Sequence, residues 1–529
     1  MKKVMSALLL FAMVFTFASC GMSSKSYIVA YDILSEPKNL DPQTASDQAS
    51  LTVINNIFEG LFYIDEFGAV QNGLAKSVIK SDNGLAYTID IKEDVFWTNG
   101  EKVTAHDFVF ALQRLFRPDT NSPAVSQFFS IKNGKEVNQG SMPETNLGVT
   151  ALSNDQLQIE LAYENENLPY LLATTYAMPC KEKFFNETKG KYGLQSQKIM
   201  SNGPFDIYSW KHGENVKLRK NESYYDIENV KPTGVNLYIS VKQTTQERLL
   251  DETINAAFVN GNDIEKFLNK GHNTEAIENA TWGLYLNTKN KSLADENIRK
   301  AIATCFNRDM YKEKLQENLS VATAIIPHSI MMFDETFRDY VGETITPTFD
   351  AIKAYEHYKT GLANLNRQDV SALKLLINKD ANIDAVEYFS YPSQIFQKEL
   401  SLYINIDEVD EKEYNSRIQA GDFDIALYKL SSGDNSMNSI LSRFESVSDK
   451  NYISYSNPEY DKLLADTISN TQKQAIINGY KNTEQKLIDD AVFIPMFYAT
   501  DYFVSTSDTS GIVYNKRTGL ISFKNAVVK

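Results

Sequence analysis

A single hydrophobic core stops growing at about 250–300 residues, and this chain has 529. Two or more lobes are therefore required, and the spacing of apolar residues says what they are made of. Period-two alternation marks strands at Tyr87-Ile89-Ile91, Leu157-Ile159-Leu161 and Val235-Leu237-Ile239-Val241. Helical spacing lies between them. Thr104 with Asp107 opens a helix that puts Phe108, Leu112, Leu115 and Phe116 on one face, and Asp295 opens another carrying Ile298, Ile302, Cys305 and Phe306. Asn457-Pro458 is a cap followed by proline at the first helical position, with Leu463, Leu464 and Thr467 facing inward. Phe423 to Leu427 reads as a central strand after Gly421, and in the apolar run Val492 to Tyr498 Pro495 predicts an edge or a bend. Strands and helices mixed throughout predict an α/β chain.

The first twenty residues concern location and not fold. Lys2 and Lys3 precede a charge-free run from Val4 to Ser19, shorter than the ~20 residues a membrane-spanning helix needs. It reads as a signal peptide. Its end, Phe17-Ala18-Ser19-Cys20-Gly21, resembles the bacterial lipobox, with Phe17 where leucine is usual. That resemblance implies a lipoprotein signal peptide over residues 1–20, lipid attachment at Cys20 and a chain tethered outside the cytoplasm, on the cell surface or in the periplasm. Ser23 to Ser26 would form a short tether. Cys180 and Cys305 have no CxxC spacing, which excludes the common zinc and redox motifs. Placing Cys305 on an apolar helix face favours two separate buried thiols over a pair.

The formal net charge is −15, and it becomes more negative once the leader is removed. Such a surface repels nucleic acid and anionic lipid heads. The 29 Tyr and 29 Phe mostly fill cores, but aromatic side chains also give pockets large contact areas. No HExxH, GxSxG, GxxxxGK or GxGxxG occurs, and the five histidines, His106 among them, are scattered. Glu408, Asp410, Glu411 and Glu413 read as a solvated face. The expectation is a binding protein, neither an enzyme nor a cofactor carrier.

One ordered series of motifs is more specific. Trp97-Thr98-Asn99-Gly100-Glu101-Lys102-Val103-Thr104-Ala105-His106-Asp107-Phe108-Val109 resembles the signature of the bacterial oligopeptide- and dipeptide-binding proteins, the family 5 solute-binding proteins of ABC importers. Asn39-Leu40-Asp41-Pro42, Phe58-Glu59-Gly60-Leu61, Ser201-Asn202-Gly203-Pro204-Phe205, Lys220-Asn221, Leu286-Asn287-Thr288, Asn307-Arg308 and Tyr455 to Leu463 follow collinearly. The resemblance implies a two-lobed periplasmic-binding-protein type II fold with an extra β-rich domain inserted in the first lobe. Lobe I would comprise 21–58, 185–279 and 499–529, the insertion 59–184 and lobe II 280–498. The hinge would lie at the crossovers Thr281-Trp282-Gly283 and Phe497-Tyr498-Ala499. Function would be capture of a peptide between lobes that close on it and delivery to ABC permease subunits. The chain is expected to be a monomer, tethered to the membrane by its lipid and binding no nucleic acid.

The chain departs from the family at two ligand anchors. Where relatives place an aspartate after Trp-x-Ala, this sequence has Leu430-Ser431-Ser432-Gly433-Asp434, so the acid stands one place late. Asp434 reads either as a shifted partner for a cationic group or as a turn residue. A family tyrosine corresponds to Ala124 in Ser122-Pro123-Ala124. The remaining candidates are Ser46, Asp47 and Gln48, in the stretch that would line the cleft from lobe I and pair with an extended peptide. Trp282 and Tyr498 at the crossovers would be either aromatic walls or hinge packing. A non-peptide solute such as a sugar, and a peptide-signal receptor, are the alternatives.

Overall fold

Two long antiparallel strands, Asn273–Leu286 and Phe493–Ser505, run side by side through the middle of the molecule. The structure is a computed structural model that describes residues 27–239, 241–311, 314–342, 346–381, 383–431 and 436–529. Among these residues eleven strands join one mixed sheet, and the two long strands lie at its centre. To one side are Ile425–Ser431, Leu373–Asn378 and Ile404–Val409. To the other are Ala256–Asn260, Ile28–Asp32, Gly234–Tyr238, Asn215–Lys220 and Phe205–Lys211.

The sheet is continuous, but the cores on it are not. One large cluster draws its buried residues from Val29 to Ile277 and again from Phe503 to Ala526. Two others draw theirs from Ala280 to Ala499. The chain therefore passes from one lobe to the other between Ile277 and Ala280, and returns between Ala499 and Phe503. The register between the long strands shifts at Glu278/Ala280, and again at Trp282/Gly283. An extra residue on one strand bends it and adds twist, so the first shift falls where the core changes. At Gly283 a Cβ would lie 2.6 Å from the Ile494 carbonyl oxygen, so the close approach there admits only glycine.

A separate four-stranded sheet, Ala75–Lys80, Ala86–Ile91, Gln156–Glu160 and Val149–Ser153, packs against the helix Ala105–Phe116. The predicted capping box is present: Thr104 and Asp107 satisfy each other's backbone, and Phe108, Leu112, Leu115 and Phe116 are all buried. Trp97 is fully buried and donates from Nε1 to Asp107 at 3.1 Å, so the Trp97–Val109 motif is a local packing unit. Asp295 caps the helix Glu296–Cys305, and Asn457 caps Pro458–Ile468. Leu464 and Thr467 face inward there, while Leu463 is only half-buried.

Of the two readings of Pro495, an edge or a bend, the edge is corrected and the register shift at Trp282/Gly283 supports the bend. Pro495 lies in the interior of a thirteen-residue strand that is central to the sheet and not at an edge. Opposite it is Gly283, at the register shift, where the ladder is already interrupted and a missing N–H costs little. The Pro495 carbonyl accepts from Arg308 Nη2 at 2.9 Å. Cys180 and Cys305 are free, buried, and in different cores.

Candidate functional site

The motif residues build the floor of a cavity between the lobes. Asn202 locks the segment after the helix Gln48–Ile57: its Nδ2 donates to the Glu59 carbonyl (2.8 Å) and its Oδ1 accepts from the Glu59 N–H (3.2 Å). Gly203 presses against this turn so closely that a Cβ would lie 2.6–2.7 Å from backbone atoms of Ile57 and Phe58. The Glu59 side chain, thus aimed, accepts from both Tyr224 and Tyr225, the latter at 2.7 Å. Burial and the Glu59 charge push both phenols above their ordinary range, so they stay protonated donors.

Above this floor lies a cavity of about 1140 Å³. From the first lobe it is walled by Phe58, Glu59, Tyr63, Tyr163, Tyr170 and Tyr176, and from the second by Met331, Met332, Phe333, Met437, Ile476 and Tyr480. Arg517, from the returning C-terminal segment, completes the wall. The lobes touch at the rim: Glu166 N–H donates to the Thr471 carbonyl, and Lys473 N–H to the Glu166 carboxylate, both at 3.4 Å. A space of this size exceeds the ~300–1,000 Å³ of an ordinary small-molecule pocket. Its thioethers and aromatic faces give adaptable contact area, and the tyrosine hydroxyls add polar handles.

Of the four carboxylates that line the cleft, Glu59, Asp65 and Asp226 are engaged and Glu66 is exposed. Asp65 accepts from the Phe67 and Ala69 N–H groups and from Gln71 at 2.8–3.0 Å. Asp226 accepts from Lys524 and Asn229, both at 2.6 Å. Desolvation works against its charge, but these bonds hold it below the ordinary carboxylate range.

The residues singled out from sequence are dispersed. Asp47 caps the helix Gln48–Ile57, its carboxylate taking the Ser50 N–H (2.9 Å) and hydroxyl (2.7 Å). Ser46 is exposed, and Gln48 donates to the Gly519 carbonyl at 2.6 Å. Trp282 is half-buried against the second lobe's core and faces Phe497 in register. Tyr498 is buried edge-on to the His328 ring, with centroids 4.9 Å apart. None of these five is among the residues lining the cavity. Asp434 and Cys20 lie outside the described residues. The Ser122-Pro123-Ala124 stretch reaches the cavity through Pro123, while Ala124 is buried. Sequence reasoning did not single out Arg517, Tyr170, Phe333 or Tyr480. They stand alone in loops or on otherwise ordinary helices, with no repeating pattern. Among the described residues no cluster of His, Cys, Asp and Glu could hold a metal ion, and no helix is long and apolar enough to cross a membrane.

Comparison with known proteins agrees with this geometry. The chain is 27% identical to the oligopeptide-binding protein OppA of Bacillus subtilis (strain 168), with 94% of this chain and 92% of the relative covered. A crystal structure of the substrate-binding domain of an oligopeptide ABC transporter from Bacillus anthracis str. Ames superposes with TM-score 0.69 at 26% identity, covering 96% of this chain and 99% of the other. The peptide-binding pheromone receptor PrgZ superposes with TM-score 0.70 at 25% identity, covering 95% and 100%. The model of the bacterial extracellular solute-binding proteins, family 5, matches residues 69–452, and with its two-lobed α/β fold the chain belongs to that family.

Proposed function

We propose that this chain captures peptides outside the cytoplasmic membrane and presents them, lobes closed, to the permease of an ABC importer. The observation that carries the reading is the interlobe cavity, larger than an ordinary small-molecule pocket and walled by both lobes. A ligand filling it touches both halves only when they are together, so binding favours the closed form. Relatives named for oligopeptide binding point the same way. On this reading lobe I spans 21–58, 185–279 and 499–529, the insertion 59–184 and lobe II 280–498. Cys20 would carry the lipid that keeps the monomer at the membrane. Asp434 would hold the ligand's cationic end: its described neighbour Ser436 lines the cavity.

The test is the native cargo. The chain expressed from Ser23, purified without denaturation and then unfolded, is expected to release a ladder of heterogeneous peptides readable by mass spectrometry. Asp434→Asn should thin that ladder. A single non-peptide compound in the ladder's place would refute the peptide reading. A single peptide species would favour a signal receptor, as in the pheromone receptor PrgZ.

A further inference from the structure

Arg517 is 8% exposed, yet it lines the cleft. Its Nη1 donates to the Gly68 carbonyl at 2.7 Å, and its guanidinium lies over and bonds to the Tyr170 side chain, 3.9 Å from the ring centroid. No carboxylate among the described residues stands within ion-pair distance of it. The other deeply buried arginines differ: Arg114 has Asp41, Arg248 has Asp32 and Arg338 has Glu484. Arg299 is surrounded by the carbonyls of Leu293, Ala294 and Asp490. Asp334 attracts Arg517 from across the cleft, but it is held by Lys473 at 2.7 Å and by the Tyr340 hydroxyl. Glu59, Asp65 and Asp226 are engaged, and Glu66, which also lines the cleft, is exposed and makes no ion pair with Arg517.

A buried cation without a counter-charge is costly, and removing its partner from such a pair typically loses several kcal/mol. Its desolvation lowers the Arg517 pKa from the ordinary value, which is the signature of that cost. The fork of guanidinium N–H groups matches a carboxylate in bidentate geometry. We propose that Arg517 is the anion anchor of the cleft, binding a carboxylate of the ligand. This deepens the peptide reading and rests on it for the choice of probe. The carboxylate has two sources in a peptide, its C-terminus or an acidic side chain.

The experiment is calorimetric titration of the chain from Ser23, emptied of cargo and refolded, with three alanine-based pentapeptides. One is a free acid, one its C-terminal amide, and one an amide with a central glutamate. The native cargo is identified in parallel. The wild type is expected to favour at least one carboxylate-bearing peptide over the neutral amide by about tenfold or more. Preference for the free acid assigns the C-terminus, and preference for the glutamate peptide assigns a side chain. In Arg517→Gln the preference should collapse to about onefold, and in Arg517→Lys a reduced preference should remain. A variant that merely loosens the fold would weaken all three peptides alike, leaving the ratio intact. Equal binding of all three peptides by the wild type, or a ratio unchanged in Arg517→Gln, overturns the anchor while leaving peptide capture standing. Cargo consisting of non-peptide carboxylic acids, absent from Arg517→Gln, would keep the anchor and remove the peptide reading. Neutral or cationic non-peptide cargo removes both.

Discussion

Arg114→Met is expected to destabilise the first lobe by about 3–5 kcal/mol, the usual result of stranding one member of a buried ion pair. Arg114 sits on the helix Ala105–Phe116 and reaches out of it to the Asn39–Pro42 turn. It donates to both oxygens of Asp41 (2.5 and 3.2 Å), to Gln43 Oε1 at 2.7 Å, and toward Cys180 Sγ at 3.4 Å, while the Phe185 ring covers it at 3.9 Å. Burial opposes its charge, but Asp41 outweighs burial and its pKa is raised. Methionine keeps the volume and leaves the Asp41 carboxylate without its partner. The measurement is a thermal melt, where a loss of this size should lower the transition by on the order of 10 °C. The double variant Asp41→Asn/Arg114→Met should recover part of the loss, since no charge is then stranded. A single variant that melts within a degree or two of wild type would mean the pair contributes nothing to the joint between helix and turn.

Glu484→Gln should do comparable damage in the second lobe, about 3 kcal/mol. Glu484 is 1% exposed on the helix Lys473–Asp489. Its carboxylate takes the Ile325 and Ile326 N–H groups at 2.9 and 2.7 Å, and both its oxygens meet Arg338 Nη2. The Ile325 carbonyl in turn accepts from Thr281 Oγ1, 2.7 Å away on the long strand. One carboxylate thus ties helix, loop and hinge strand together. The glutamine oxygen still receives the two N–H groups, so what is lost is the charge opposite Arg338. Because Met331 to Phe333 lies between Ile326 and Arg338 and walls the cleft, peptide affinity should fall along with the melting temperature. Unchanged stability with unchanged affinity would show that Arg338 finds another acceptor.

Much of the fold was readable because it rests on short-range chemistry. Thr104 with Asp107, Asp295 and Asn457-Pro458 each cap a helix as their spacing predicts. The Phe58–Leu61 and Ser201–Phe205 motifs turned out to be one contact, made by Asn202 and Gly203 against Glu59 and Phe58. The edge reading of Pro495 failed because its tolerance depends on Gly283, more than two hundred positions away and invisible to local pattern. Asp47 carried its own signal, an acid just before an apolar helical run with serine three residues on; a cap is what the structure gives it. The cleft was the least legible part. Its wall takes single residues from loops of both lobes, and no period in the sequence relates Tyr170 to Phe333 or to Arg517.

The two cysteines, one per lobe, amount to a built-in pair of reporters. Burial pushes both thiols up to about 12, so neither forms appreciable thiolate at neutral pH and neither reacts with a labelling reagent while its core stays shut. In the chain from Ser23 these are the sole thiols. The rate at which each is alkylated then clocks the opening of its own lobe. Arg114→Met should accelerate capture of Cys180, which touches the altered guanidinium, and Glu484→Gln that of Cys305. Peptide should slow both at once if the halves are coupled through the bound cargo.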